Sequence, residues 1–248
     1  MRAITLLTDF GTADYFVGAM KGAILSINQQ AVIVDITHEI PAQDVAAGAF
    51  TLLAAYDTFP EGTIHVAVVD PGVGSARRAI ALSAGRHLFV GPDNGIFTHV
   101  CERESSFEAF HITDEKYFRH PISNTFHGRD IFAPVAAALS TGVDPSSLGP
   151  RISDPMRLFK SAEPQIIHID HFGNLITNIT RDVLKEGAEL SVNGHEIRVF
   201  RQFFGENIGE PDEVFAIWGS AGFLEIAVNG RSAAQILNVK RGDPVTLI

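Results

Sequence analysis

The first 140 residues alternate between two hydrophobic periods, and this restricts the fold more than any other property of the chain. Ile4–Thr8, Val32–Thr37 and Ile64–Val69 are short apolar runs rich in β-branched residues, the pattern of strands buried on both faces. Between them, Tyr15–Asn28 carries Phe16, Met20, Ala23, Ile24 and Ile27 at helical spacing. Val45, Ala49, Leu52 and Leu53 form one stripe of a second helix that ends near Phe59-Pro60. Asp14 and Asp44 stand where the two helices need N-caps. Ala79–Ser83 and Leu88–Val90 read as further strands, and Gly95–Cys101 and Ile131–Ser140 as further helices. Strands alternating with helices imply an α/β domain whose mostly parallel sheet is covered on both faces.

The pattern changes after Ser140. Thr141–Pro164 mixes prolines with Gly, Ser and Asp and reads as a linker. Beyond it lie hairpin signals: Asn193-Gly194 between Leu190-Ser-Val and Ile197-Arg-Val, and Ser220-Ala-Gly222 between Val214–Trp218 and Phe223–Val228. A last strand is expected at Val245–Ile248. The expected organisation is an α/β sandwich domain over 1–150, a linker over 151–164, and a smaller antiparallel β-barrel or sandwich over 165–248.

A formal charge of -10 argues against a nucleic-acid or anionic-membrane surface. No apolar run is long enough for a transmembrane helix. The opening residues have a strand pattern rather than that of a signal peptide, so the expected location is cytoplasmic. The single cysteine, Cys101, rules out an internal disulfide framework.

Three segments carry residues suited to chemistry. Asp9 sits where the first strand should end and is placed to accept hydrogen bonds from two vicinal hydroxyls, as a ribose diol offers; the plainer reading is a turn aspartate ahead of Gly11. In Asp70-Pro-Gly-Val-Gly-Ser-Ala-Arg77-Arg78, a strand delivers an acid to a loop that can turn one arginine back onto it. Neighbouring residues of an extended loop point apart, so only one of Arg77 and its competitor Arg78 should face the ligand. His127 lies at a loop–helix junction before Asp130 and can act as acid, base or donor near neutral pH. No Gly-x-Gly-x-x-Gly or Walker A motif is present, which disfavours dinucleotides and nucleoside triphosphates. His168, Asp170 and His171 are dense enough for a metal, but strand alternation sets His171 opposite the other two, and no metal or cofactor is expected. Phe172 can stack on a base, Asn174 can bond an amino-acid carboxylate or amine, and the backbone at Val228-Asn229-Gly230 can read a purine edge. Turn and hairpin roles are the alternatives for each.

Six motifs stand in one order along the chain: Thr8-Asp-Phe-Gly-Thr, Asp70-Pro-Gly-Val-Gly, Val90-Gly-Pro-Asp-Asn-Gly95, Thr125-Phe-His-Gly-Arg-Asp130, Asp170-His-Phe-Gly-Asn-Leu-Ile-Thr-Asn178 and Leu224-Glu-Ile-Ala-Val-Asn229. Together they resemble the S-adenosylmethionine (SAM) hydroxide adenosyltransferases, the adenosine-forming SAM hydrolases, which are related to the fluorinating and chlorinating SAM halogenases. The resemblance implies an N-terminal α/β domain, a C-terminal β-barrel, and a homotrimer binding SAM between neighbouring subunits. It places the family's Asp-Arg-His set on Asp70, Arg77 and His127, and the ribose contact on Asp9. Asp170 and Asn174, helped by Ser220, would hold the methionine end. Phe172 and Phe204 would pack on the ligand, and backbone near Val228 and Gly230 would contact adenine. Phe10, Asp14 and Glu225 complete the implied substrate-binding set. The halogenases carry a tyrosine and a threonine where this chain has Asp70 and Val73, and a serine where it has Gly128. A carboxylate repels a desolvated halide but accepts a proton from water, so hydrolysis is expected. A halogenase and a non-catalytic SAM or adenosine sensor are the alternatives.

Overall fold

The computed structural model describes residues 2–104, 106–159, 161–184, 188–206 and 212–248. The chain divides into two compact units, Met1–Leu158 and Phe159–Ile248.

The first unit contains β1 (Ile4–Thr8), α1 (Phe16–Ile27), β2 (Ile33–Thr37), α2 (Val45–Ala55), β3 (Ile64–Val68), β4 (Ala79–Ala84) and β5 (His87–Pro92). It continues through α3 (Thr98–Arg103), β6 (Phe107–His111), α4 (Ala133–Ser140) and β7 (Arg151–Ile152). Its sheet has the order β2-β1-β3-β5-β4-β6-β7. β2, β1, β3 and β5 are parallel, whereas β4, β6 and β7 add an antiparallel wing. The reversal at β4 follows from its connection to β5, since Gly85-Arg86 is far too short for a crossover and makes a hairpin instead.

Helices cover both faces. On one, Met20, Ala23 and Ile24 of α1 and Val135, Ala136 and Leu139 of α4 pack on Ile4, Leu6, Ile64, Val66 and Val90. On the other, α2 approaches so closely that a Cβ on Gly48 would lie 3.0 Å from Val69. This open α/β arrangement puts the loops after β1 and β3 at the carboxyl end of the parallel strands, the usual place for a ligand crevice.

Several expectations need correction. Asp14 is exposed and does not cap α1: the cap position falls on Tyr15, already near-helical at φ −75° and ψ −7°, and no side-chain hydrogen bond closes that end. Asp44 does cap α2, accepting from the Ala47 N–H. β2 is an edge strand rather than a buried one, and Val34 and Asp35 are exposed. Asp130 does not open a helix; it is buried within a π-helical turn, Gly128–Phe132, that precedes α4. The stretch expected as linker belongs to the first unit as far as Leu158. Arg151–Ile152 pairs with β6, Asp154 binds Arg78, and the Met156 N–H is held by Asp93.

The second unit contains β8 (Ile166–Ile169), β9 (Leu175–Thr177), β10 (Leu190–Val192), β11 (His195–Ile197), β12 (Phe200–Arg201), β13 (Val214–Trp218), β14 (Leu224–Val228), α5 (Ala233–Leu237) and β15 (Val245–Leu247). They form a five-stranded sheet, β12-β13-β14-β9-β8, and a three-stranded sheet, β11-β10-β15. All pairings are antiparallel except β12 with β13. Ile166, Leu175, Leu190, Val192, Ile226 and Val245 join both sheets in one core. The Asn193-Gly194 hairpin is present, with φ of 49° and 80° as a type I′ turn demands. Among the described residues, no helix is long and apolar enough to cross a membrane.

Candidate active site

Asp70 follows the buried end of β3, and the loop after it folds back through two tight turns, Val73 N–H to Asp70 C=O and Ser75 N–H to Gly72 C=O. Gly74 has φ +77°, and a Cβ there would lie 2.2 Å from the carbonyl oxygen of Asn124. Only glycine lets this loop press against the segment leading to His127.

The consequence is a three-residue assembly on one guanidinium. Arg77 Nε donates to Asp70 Oδ1 at 2.9 Å, and Nη2 donates to Asp70 Oδ2. The same Nη2 donates to His127 Nδ1 at 2.8 Å. The Asp70 and Arg77 side chains are 5% and 10% exposed, and the guanidinium lies over the Phe132 ring. A guanidinium has no acceptor, so Nδ1 of His127 must accept and its ring proton sits on Nε2. Burial, and then the charge of Arg77, hold His127 below the ordinary imidazole range against the opposing pull of Asp70 and Asp130. A neutral imidazole whose Nε2–H is left to donate, beside a paired carboxylate, suits stabilisation of an attacking oxygen. Arg78 points away, to Asp93 and Asp154.

Asp9 is half-buried, and its Oδ2 accepts from the Gln43 N–H at 2.7 Å. Phe10 packs on Phe16 and edge-on to Phe126, the neighbour of His127. A Cβ on Gly128 would lie 3.2 Å from Met20 Sδ and 3.5 Å from the Phe10 ring. The structure thus brings the Asp9–Phe10 segment against the His127–Gly128 segment and leaves Asp14 exposed outside this contact.

In the second unit Asp170 organises its own turn. Its Oδ1 accepts from the N–H groups of Phe172 and Asn174, and its Oδ2 from Asn174 Nδ2. This turn presents the Phe172 ring with 74% exposure. Phe172, Asn174, Phe204, Val228 and Gly230 line one cavity of about 450 Å³. Ser220 and Glu225 do not line it. Burial, and then the charge of Asp170, push the Glu225 carboxyl up.

Comparison with known proteins decides the family. The model for the SAM hydroxide adenosyltransferase N-terminal domain matches residues 4–149, and that for the C-terminal domain matches residues 164–246. The chain belongs to the SAM hydroxide adenosyltransferase family. Within it, the chain is 38% identical to an (R)-S-adenosyl-L-methionine hydrolase of Thermus thermophilus, over the whole of both proteins. It is 39% identical to one of Methanocaldococcus jannaschii, over 99% of this chain and 95% of the relative. A fluorinase of Actinoplanes is 30% identical, over 98% and 96%. A crystal structure of an uncharacterized conserved protein from Thermotoga maritima superposes with a TM-score of 0.91 at 36% identity, covering 99% of this chain and 100% of that one.

Sequence reasoning about this adenosyltransferase chain missed the supports of the site. His38 Nδ1 lies 2.8 Å from Thr8 Oγ1 and its carbonyl accepts from the Gly11 N–H, which fixes the Asp9 loop. Gln43, at φ 65°, supplies the N–H on Asp9. A backbone donor leaves no side-chain signature, and a lone histidine leaves a weak one.

Proposed function

We propose that this protein hydrolyses S-adenosylmethionine to adenosine and methionine. The observation that carries the reading is Arg77 donating to both Asp70 and His127. The assembly holds a water that attacks ribose C5′ in line with the sulfonium. The C5′–O bond forms as the C5′–S bond breaks, and methionine leaves as a neutral thioether with the bonding pair. The leaving group needs no acid, so catalysis rests on the nucleophile. His127 donates Nε2–H to the attacking oxygen, Arg77 supplies positive charge, and Asp70 is the proton acceptor because neutral His127 is oriented to donate. Each oriented donor of this kind contributes about 2.7–4 kcal/mol to the transition state.

Asp9 holds the ribose diol through the lone pairs that Gln43 leaves unused, and Phe10 walls that segment. Phe172 and Phe204 sandwich adenine, with the backbone at Val228 and Gly230 against its edge. Asn174 is better suited to the base than to methionine, because it lines that same cavity while its Nδ2 is committed to Asp170. Asp170, Glu225 and Ser220 take the methionine end, the two carboxylates attracting its ammonium. Asp14 keeps only a peripheral part, given its exposure. The substrate is shared between half-sites of neighbouring subunits in a homotrimer, which light scattering tests through the mass in solution.

The buried Asp70 carboxylate opposes halide binding, and a side chain at Gly128 would crowd Met20 and Phe10. Incubation with SAM in chloride or fluoride should therefore give adenosine and methionine in equal amounts. A 5′-halogenated nucleoside would favour the halogenase reading, and tight binding without turnover a sensor.

A further inference from the structure

We infer that Asp93 and Asn94 are positioning residues that grip both stems of the loop carrying Asp70 and Arg77. They belong to the Gly91-Pro-Asp-Asn-Gly95 turn that ends β5, a motif to which the reaction itself assigns no role.

The first stem is held by Asn94. Its Nδ2 donates at 2.8 Å to the carbonyl of Val69, the residue before Asp70. Its Oδ1 accepts from the Ile96 N–H at 3.2 Å, which fixes the amide so that nitrogen and not oxygen meets Val69. The second stem is held by Asp93. Its Oδ2 accepts from Nε and Nη2 of Arg78 at 2.7 and 2.6 Å, and its own N–H donates to the Arg78 carbonyl at 2.9 Å. The Asp93 side chain is only 4% exposed, and its Oδ1 is taken by the Met156 N–H.

Two consecutive residues therefore set the separation of residues 69 and 78, which bracket the catalytic loop. Fixing Arg78 on Asp93 also decides which way Arg77 points, since adjacent side chains in extended chain diverge. Among the described residues, the side-chain hydrogen bonds of Asp93 and Asn94 go to Arg78, Met156, Val69 and Ile96 and none to Asp70, Arg77 or His127, so their effect on the assembly passes through the backbone. A displacement of about 1 Å in such a site costs up to roughly a hundredfold in rate. The kinetic part of this inference rests on the hydrolase reading; the geometric part does not.

The experiment uses full-length Asn94→Asp, Asp93→Asn and Arg78→Lys. Asn94→Asp keeps the acceptor for Ile96 but cannot donate to Val69. SAM turnover is measured beside the ¹⁵N spectrum of histidine-labelled protein, in which the His127 resonances are identified by their loss in His127→Gln. The expected result is a folded protein with KM within about twofold of wild type, kcat lowered about ten- to a hundredfold, and the His127 Nδ1 resonance moved toward that of an unbonded ring nitrogen. Wild-type kcat and an unmoved Nδ1 resonance in folded Asn94→Asp and Asp93→Asn would overturn the proposal. So would loss of folding in all three variants, which would make the turn a general stability element. Should wild-type protein release no adenosine from SAM, the hydrolase reading fails, and the nitrogen spectrum alone still decides whether the grip sets the Arg77–His127 bond.

Discussion

Arg77 Nη2 stands 2.8 Å from Nδ1 of His127 while the same Nη2, together with Nε, forks onto the Asp70 carboxylate. The bond fixes the imidazole tautomer and leaves Nε2–H as its free donor. Arg77→Lys retains a positive charge but not the planar fork, and an ammonium cannot reproduce both contacts in one plane. Adenosine release should fall about a hundred- to a thousandfold, the effect of one lost oriented donor, with the circular dichroism spectrum unchanged. Turnover within a few-fold of wild type would show that charge alone suffices.

The pH dependence follows from the same bond. His127 is held below its ordinary range, chiefly by burial and then by Arg77, so its protonated form appears only below the usual pKa of about 6.5. Protonation gives Nδ1 a hydrogen and breaks the contact with Arg77. The kcat profile should therefore lack a His127 limb above that value and fall only on further acidification. A histidine-dependent limb above neutrality, lost in His127→Gln, would contradict the assignment.

Gly74→Ala tests the seating of the loop. The added methyl must occupy space 2.2 Å from the Asn124 carbonyl at φ +77°, where an L-residue costs about 1–2 kcal/mol before any clash. Chemical denaturation should show a loss of stability at least that large, and kcat should fall more than KM rises. Unchanged stability would mean that the loop can lift off Asn124 freely.

A separate prediction concerns acid stability. His65 is fully buried, bonded to Thr5 and next to His87, and burial followed by the charge of His87 pushes its pKa down to about 3. A pKa depressed on folding means that the unfolded chain binds the extra proton. Its stabilising effect is therefore complete above the ordinary histidine pKa and is lost as pH falls from about 6.5 toward about 3. Unfolding free energies from urea titrations between those limits should decline by up to about 1.4 kcal/mol per pH unit from this group. A His65→Asn variant should show a shallower decline, and equal slopes would place the acid sensitivity elsewhere.

The sequence revealed the parallel strands because Ile4–Thr8 and Ile64–Val69 are mostly apolar, with only Thr5, Thr8 and His65 polar, as burial on both faces requires. It misjudged Val32–Thr37, whose similar run forms an edge strand, because an apolar run alone does not say how many neighbours a strand has. β6 went unseen because Phe107-Glu-Ala-Phe-His lacks clear periodicity. Linker composition at 151–158 concealed tertiary anchoring by Arg78, Asp93 and Thr98, which no local pattern encodes. Within the site, charge and turn chemistry singled out Asp70 and its two candidate arginines. The divergence of neighbouring side chains showed that they part but not which one meets Asp70, and the coordinates put Arg77 there and Arg78 on Asp93 and Asp154. The Gln43 N–H on Asp9 and the tautomer of His127 could be read only from coordinates, since both depend on backbone geometry and partners far apart in the chain.

The most direct test of the central claim is turnover of SAM in ¹⁸O-labelled water, with mass spectrometry of the nucleoside. Attack of water at C5′ gives adenosine carrying one label at its 5′ oxygen and an equal yield of unlabelled methionine. Unlabelled adenosine, or no adenosine from an intact and folded protein, would contradict it.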